Sequence, residues 1–348
     1  MEQILLHQDK VNIRTTSHSF GYALCAVMVV FICARALTQN LFEADYGSGN
    51  IYEFTPSGAQ STFASGLNPI GLTFNSAGVL FEADVSSNIY EFTPSGAQST
   101  FASGLNPIGL AFDGVGNLFV ANWPSANRDN ESIYEFTPSG AQSTFASEVV
   151  APWGLAFDSV GNLFVSDSQL VGFIFEFTPA GAQSTFASGL QDPCDMAFDS
   201  AGNLFVADQN SGNIYEFTPS GARSTFASGL AIPLGLAFDS AGNLFVADQY
   251  SGNIYKFTPR GARSTFASGL NGPVALAFQP VPELVAVITN GVFQVSVSMP
   301  SPYYSTIIQS STDMVNWTSV YTNTPPFTFT NSMATTSAQC FYRAVLGP

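Results

Sequence analysis

Two tryptophans and a set of charged side chains are the residues of this 348-residue chain best equipped to hold a ligand: Trp123, Trp153, Arg128, Asp129, Glu131, Glu148, Asp167 and Asp195. Indole faces beside carboxylates suit sugar rings, which offer a CH face to the aromatic and hydroxyls to the acids. Equipment for catalysis is thinner. The two histidines, His7 and His18, both lie near the N-terminus, leaving no imidazole downstream for a general acid or base or for a Ser-His-Asp triad. No catalytic residue is assigned, and the balance is against an enzyme. Cys194 and Cys340 stand far apart and make no disulfide framework; Cys194 reads as a small buried hydrophobe rather than a nucleophile.

The elements that must position these residues come from a repeat. Near-copies of a unit of about 40 residues fill Asn40 to Phe278. The clearest copy runs Pro233-Leu-Gly-Leu-Ala-Phe238, Asn243-Leu-Phe-Val-Ala-Asp248, Asn253-Ile-Tyr-Lys-Phe-Thr258 and Ser264-Thr-Phe-Ala-Ser268. Each piece is short, alternates apolar with small or polar residues and is bounded by Gly, Asn, Asp, Ser or Pro. That is the pattern of four β-strands joined by tight turns, one blade of a propeller. The Leu-Phe strand and the strand ending in Ala-Phe or Thr-Phe each occur six times, but the array opens with the former and closes with the latter. Six complete blades result if Val274 to Phe278 pairs with the first blade, which also removes exposed sheet edges. The expected fold is all-β: a six-bladed β-propeller over residues 37–279, closed by its last repeat strand.

Repetition also separates packing from site. Most of the 32 phenylalanines fall at four repeat positions, as Phe205, Phe217, Phe226 and Phe238 do in one period, and read as packing between blades. Asp45, Asp84, Asp167, Asp208 and Asp248 end the second strand, with Asn122 in the third copy, and read as turn chemistry. Asp113, Asp158, Asp199 and Asp239 open an Asp-x-x-Gly-Asn hairpin and read the same way. The exceptions are more informative. The loop Asp-x-x-Ser-Gly becomes Asn122-Trp-Pro-Ser-Ala-Asn-Arg-Asp-Asn-Glu131, and Ala-Ser-Gly-Leu becomes Ala146-Ser-Glu-Val-Val-Ala-Pro-Trp153. The next blades carry Ser168-Gln-Leu-Val-Gly-Phe173 and Gln191-Asp-Pro-Cys-Asp195. In a propeller these loops share one face, so the exceptions gather in one sector and bring the candidate site together. Elsewhere Arg223 and Arg263 replace a repeated glutamine, with Lys256 and Arg260 nearby, forming a basic edge.

Formal net charge is −16, a surface that repels phosphate backbones and anionic lipid, so nucleic-acid and membrane-surface partners are not expected. Lys10 and Arg14 precede an apolar run from Gly21 to Ala34 and an Ala34-Arg35-Ala36 motif, the layout of a cleaved signal peptide over residues 1–36. The run is too short to span a bilayer, so the expectation is export (secreted, periplasmic or cell-surface) without membrane insertion after cleavage. Residues 280–283 read as a stiff linker. Alternating runs over residues 284–348 (Val285 to Ile288, Val292 to Ser298, Ser305 to Gln309, Trp317 to Tyr321, Phe327 to Thr330, Cys340 to Val345) suggest a small antiparallel β-sandwich with Trp317 in its core.

Pro-x-Gly-Leu-Ala-Phe-Asp, Gly-Asn-Leu-Phe-Val-Ala-Asp and Asn-Ile-Tyr-Glu-Phe, recurring in that order over about two thirds of the chain, resemble the NHL-repeat family of six-bladed propellers. That resemblance extends to gluconolactonase-like calcium lactonases and streptogramin lyases. The tail, with Ser311-Thr-Asp-Met-Val-Asn-Trp317 and Phe341-Tyr-Arg343, resembles a C-terminal module of secreted bacterial proteins. The lyase likeness implies a catalytic histidine, which this chain lacks outside its N-terminal segment. The lactonase likeness implies Glu, Asn and Asp around a calcium at the channel mouth. The matching positions, two residues after each repeat proline, are Gly71, Gly109, Gly154, Asp195, Gly235 and Ala275, so Asp195 is the metal ligand if there is one and calcium the ion. No other cofactor is expected. The reading is thus an exported, non-catalytic binding or interaction module for a glycan or protein on one propeller face, and the alternative a metal-dependent lactonase or lyase at the channel mouth.

Overall fold

The computed structural model describes residues 39–123, 131–147, 149–168 and 171–280; beyond these it describes Asn316 and six strands between Leu284 and Leu346. The expected signal segment, residues 281–283 of the expected linker, and Arg128, Asp129, Glu148, Trp317 and Cys340 lie outside the described residues. None of the described residues is helical, and no helix among them is long and apolar enough to cross a membrane.

Residues Thr38–Pro280 form one compact unit of six four-stranded antiparallel sheets. The first strand, β1 (Leu41–Asp45), pairs on one side with β2 (Asn50–Phe54), which pairs with β3 (Gln60–Ser65). On its other side it takes β24 (Pro273–Phe278), with Leu41 opposite Phe278 and Glu43 opposite Leu276. The ring therefore closes as the repeat count requires. The next blades follow in chain order, with inner strands β4 (Pro69–Phe74), β8 (Pro107–Phe112), β12 (Pro152–Phe157), β16 (Pro193–Phe198) and β20 (Pro233–Phe238).

Phenylalanine packing explains why the copies stay so alike. In β1, Phe42 meets Phe63 of its own outer strand at 5.0 Å and Phe74 of the next blade at 5.1 Å, both edge to face. The closing seam repeats this geometry: Phe245 meets Phe266 and Phe278, each at 5.0 Å. Edge-to-face pairs add about 0.5–1.5 kcal/mol each beyond the area they bury, so the same ring contact at every seam makes the closing interface equivalent to the covalently continuous ones. The Asp-x-x-Gly-Asn hairpins behave as expected. Asp113 Oδ1 accepts from the Asn117 amide at 2.8 Å, and its Oδ2 accepts from the Asn117 side chain at 2.9 Å.

Inner strands crowd one another around the axis, and this fixes the glycines found two residues after four of the six repeat prolines. A Cβ on Gly71 would stand 2.1 Å from the Ile108 carbonyl oxygen, and one on Gly109 would stand 2.0 Å from that of Trp153. No side chain fits at that distance, so these glycines are required by backbone approach.

The C-terminal residues from Val281 belong to a second unit. It contains two three-stranded antiparallel sheets, β25 (Leu284–Thr289), β26 (Val292–Val297) and β29 (Phe327–Ser332), and β28 (Thr318–Asn323), β27 (Thr306–Ser311) and β30 (Phe341–Leu346). Each expected tail strand has its counterpart; the side chains through which a sandwich would pack lie outside the described ones.

Candidate functional site

One face of the ring carries the ends of the second strands and the loops that lead into the inner strands. Terminal aspartates tie these two features together. Asp45 accepts from the amides of Asn271 (2.7 Å) and Ser48 (2.9 Å), and Asp84 from those of Asn68 (2.8 Å) and Ser86 (2.7 Å). Asp208 accepts from Gln191 (2.8 Å), Asp248 from Ala231 (2.9 Å) and Ile232 (2.8 Å), and Asn122 from Asn106 (2.7 Å). Charge-assisted bonds to amides are strong, so these blades, four through an aspartate and one through Asn122, are stapled to the loop that begins the inner strand.

Asp167, at the end of β13 (Leu163–Asp167), departs from this pattern. The loop leading to its inner strand has the divergent sequence, and Asp167 Oδ1 is buried with no hydrogen-bond partner. Burial, and then the negative charge of Glu131, raise its pKa to about 7. Glu131 is itself buried, at 5 % exposure.

Both tryptophans join this pair. Trp123 follows β9 (Leu118–Asn122), and its amide donates to the Asn106 carbonyl at 2.9 Å. Trp153 is the second residue of β12, and the two rings meet edge to face, with centroids 6.0 Å apart and planes at 64°. Strand register puts the backbone of each tryptophan next to that of one acid. Asn122, just before Trp123, lies opposite Ser132, which follows Glu131. Pro152, just before Trp153, lies opposite Asp167, and the Ser168 amide donates to the Ala151 carbonyl at 3.0 Å. The structure thus brings Trp123, Glu131, Trp153 and Asp167 into one corner of the face.

Asp195 plays a different part. It lies in β16 alongside Gly154, but its Oδ1 accepts from its neighbour Met196 (2.8 Å) and its Oδ2 from Leu236 of β20 (2.9 Å). Burial raises its pKa to about 6 against the opposing effect of those two amides. Both oxygens are thus engaged in holding adjacent inner strands, and the five equivalent positions are glycine or alanine. This donor set does not fit a calcium ion, which takes six to eight oxygens. Among the described residues no group of three or more His, Cys, Asp or Glu could hold a metal. Cys194 is fully buried, and burial pushes its thiol well above the usual range, as a packing residue requires.

Two features escaped the reading of single residues. Asp192, at φ 72°, takes a hydrogen bond from the Ser168 hydroxyl and one from the Asn210 side chain at 3.3 Å; burial first, and then Asp208, raise its pKa against the Ser168 bond. Its signal was the same loop irregularity that contains Ser168 and Gln191. The other is Glu43 of β1 and Glu82 of β5 (Leu80–Asp84), fully buried with all four carboxylate oxygens unpartnered. Burial, and then Asp45 and Asp84 respectively, raise both pKa values to about 9. Their signal lay in the aligned column, where the other four blades carry Val120, Val165, Val206 and Val246. On the basic edge, Arg263 lies over the Tyr255 ring at 3.6 Å and Arg223 over Tyr215 at 5.0 Å, while Lys256 pairs with Asp239 at 3.5 Å. Lys256 is thus paired within its own blade, while Arg223 also donates to the Gly189 carbonyl of the preceding blade at 3.4 Å.

With this geometry in place, the chain is a six-bladed β-propeller similar to several solved ones. A chain from a nidogen/laminin complex superposes with a TM-score of 0.62 at 19% identity, covering 70% of this chain and 98% of that one. A putative gluconolactonase gives 0.55 at 17% identity, covering 68% and 87%. A protein of unknown function from Bacteroides caccae gives 0.54 at 14% identity, covering 70% and 100%. Identities this low establish the fold alone. No family model matches the sequence, and no curated protein matches it.

Proposed function

We propose that this protein is a non-catalytic binding module, exported by its N-terminal segment, that takes its ligand on the propeller face at the Trp123–Trp153 corner. The observation that carries this reading is the edge-to-face tryptophan pair with Glu131 and Asp167 beside it. Half-buried aromatic rings with a few convergent polar groups are the usual make-up of a recognition site. A similar propeller comes from a nidogen/laminin complex, which supports recognition of another protein in general terms. Catalysis at Asp195 lacks comparable support, since both of its oxygens hold the backbone.

The test is capture of ligand by the full chain from a glycan array and from a panel of extracellular proteins, repeated with Trp123→Ala plus Trp153→Ala. Capture that falls at least tenfold in the double variant, with an unchanged melting temperature, is the expected result. Capture indifferent to both tryptophans would remove this face from consideration.

A further inference from the structure

We infer that the Trp123–Trp153 corner is built for an organic cation, an alkylammonium or guanidinium group, rather than for a neutral sugar; this rests on the binding reading above and specifies its ligand. Three observations lead there. Asp167 Oδ1 is a buried acceptor without a donor, on a side chain only 5 % exposed. In the other blades the matching carboxylate, or Asn122, accepts an amide from the loop before the inner strand, Asp208 through one oxygen while its Oδ1 is likewise bare; at Asp167 no such amide bond is found among the described residues. A buried acceptor left bare is costly, and a ligand donor would recover that cost.

The second observation is charge. Glu131 lies close enough to Asp167 to raise its pKa, so the corner holds two acids in mutual repulsion. The ion pair found among the described residues, Lys256 with Asp239, lies in another blade. A neutral hydroxyl could donate to Asp167 but would leave the repulsion in place; a positive group answers both. A divalent metal would need more oxygen ligands than these two carboxylates offer, and no such cluster exists among the described residues.

The third is the aromatic pair. A cation over an indole face is attracted by the ring's quadrupole, most strongly where water is excluded. Trp123 and Trp153 meet edge to face and are only partly buried, with Trp153 packed on one side against the hydrophobic core, so the exposed part of the pair supplies the indole surface on which an ammonium or guanidinium would pack. The net charge of −16 draws cations toward the surface.

The experiment is calorimetric titration of the full chain with butylammonium, methylguanidinium, a short peptide amide containing lysine and arginine, and cellobiose as the neutral arm. Binding of the cationic probes, weakened by salt and reduced at least tenfold in Asp167→Asn and in Glu131→Gln, is expected; peptide bound much more tightly than the small amines would assign the source to a protein side chain. The inference is overturned if no cationic probe binds, or if one binds only after Arg128→Ala, which would give the site to the chain's own guanidinium. Cellobiose bound through Trp123 and Trp153 without effect of Asp167→Asn would overturn the cation and keep the binding face. Cation binding untouched by Trp123→Ala plus Trp153→Ala would overturn the face itself.

Discussion

Glu43 and Glu82 sit in the middle of second strands, whereas Glu131 and Asp167 sit at strand ends on the loop face. Both regions bury carboxylates, and both leave acceptors unpartnered. Their surroundings differ. Side chains alternate along a strand, so Glu43 shares the face of Leu41, which packs with Ala237, Phe245 and Leu276 at the closing seam. Glu82 shares the face of Leu80, which packs with Phe42, Ala44 and Leu72 on the other side of the same closing blade. These two acids are enclosed by hydrocarbon and are held in the protonated form, with pKa values near 9. At the face, Asp167 titrates near 7 and has aromatic rings and a loop beside it rather than a core. An unpartnered carboxylate is therefore not a site by itself. What distinguishes the face is the tryptophan pair that stands there with its acids.

The largest effect expected from this contrast is on stability. A carboxyl whose folded pKa is raised from its ordinary value near 4.5 to about 9 keeps a proton that the unfolded chain releases. Each glutamate therefore leaves stability intact below about pH 4.5 and erodes it as pH rises toward 9, by up to about 1.4 kcal/mol per pH unit. Replacing both with the valine found in the other four blades, Glu43→Val plus Glu82→Val, is expected to raise the melting temperature by several degrees or more at pH 8 and by little at pH 4. Thermal melts across that range would show it. If the double variant melts lower than the parent at pH 8, these acids have a partner, and the contrast with the face collapses.

A smaller effect should separate the aspartates. Asp84 holds two amides at 2.8 and 2.7 Å, so Asp84→Ala leaves both donors without their acceptor and should cost roughly 2 kcal/mol. Denaturant titration of Asp84→Ala beside Asp167→Ala would measure the difference directly; the latter removes an acceptor that is already bare on one oxygen. Gly109→Ala belongs at about the same size, since overpacking costs about 1–3 kcal/mol. A Cβ there meets the Trp153 carbonyl, so ligand capture should fall along with stability.

Architecture was legible because it is written six times. Period, strand pattern and the mismatch between first and last copies sufficed to place β24 beside β1, and ring contacts such as Phe245 with Phe278 follow from the same repetition. The corner was legible only as a set of exceptions. Trp123 and Trp153 stand 30 positions apart, and their contact depends on the propeller bringing the ends of neighbouring blades together. What no pattern could supply was the bonding state of each acid. Asp167 and Asp84 are the same residue at the same repeat position, yet one is bare on an oxygen and the other holds two amides, and the loops facing them differ in sequence. Asp195 likewise shows as an odd carboxylate in the sequence, and only the geometry reveals that it binds Leu236 and Met196.

The smallest effect is the one that bears most directly on the face. Asp167 has a folded pKa raised to about 7, so its unfavourable contribution grows from about pH 4, is complete above pH 7, and is absent at lower pH. Asp167→Asn keeps the shape of the side chain and removes the charge. It should therefore melt with the parent at pH 4 and up to about a degree or two above it at pH 8, less than the glutamate pair because a single acid with a smaller shift is changed. Cation binding should move the opposite way in the parent, strengthening as pH rises through 7 because the ionised carboxylate is the form that attracts it. A variant that is slightly more stable yet no longer binds would show an acid retained at a cost to folding for its ligand. Asp167→Asn as destabilising as Asp84→Ala would instead make Asp167 one more staple between strand and loop.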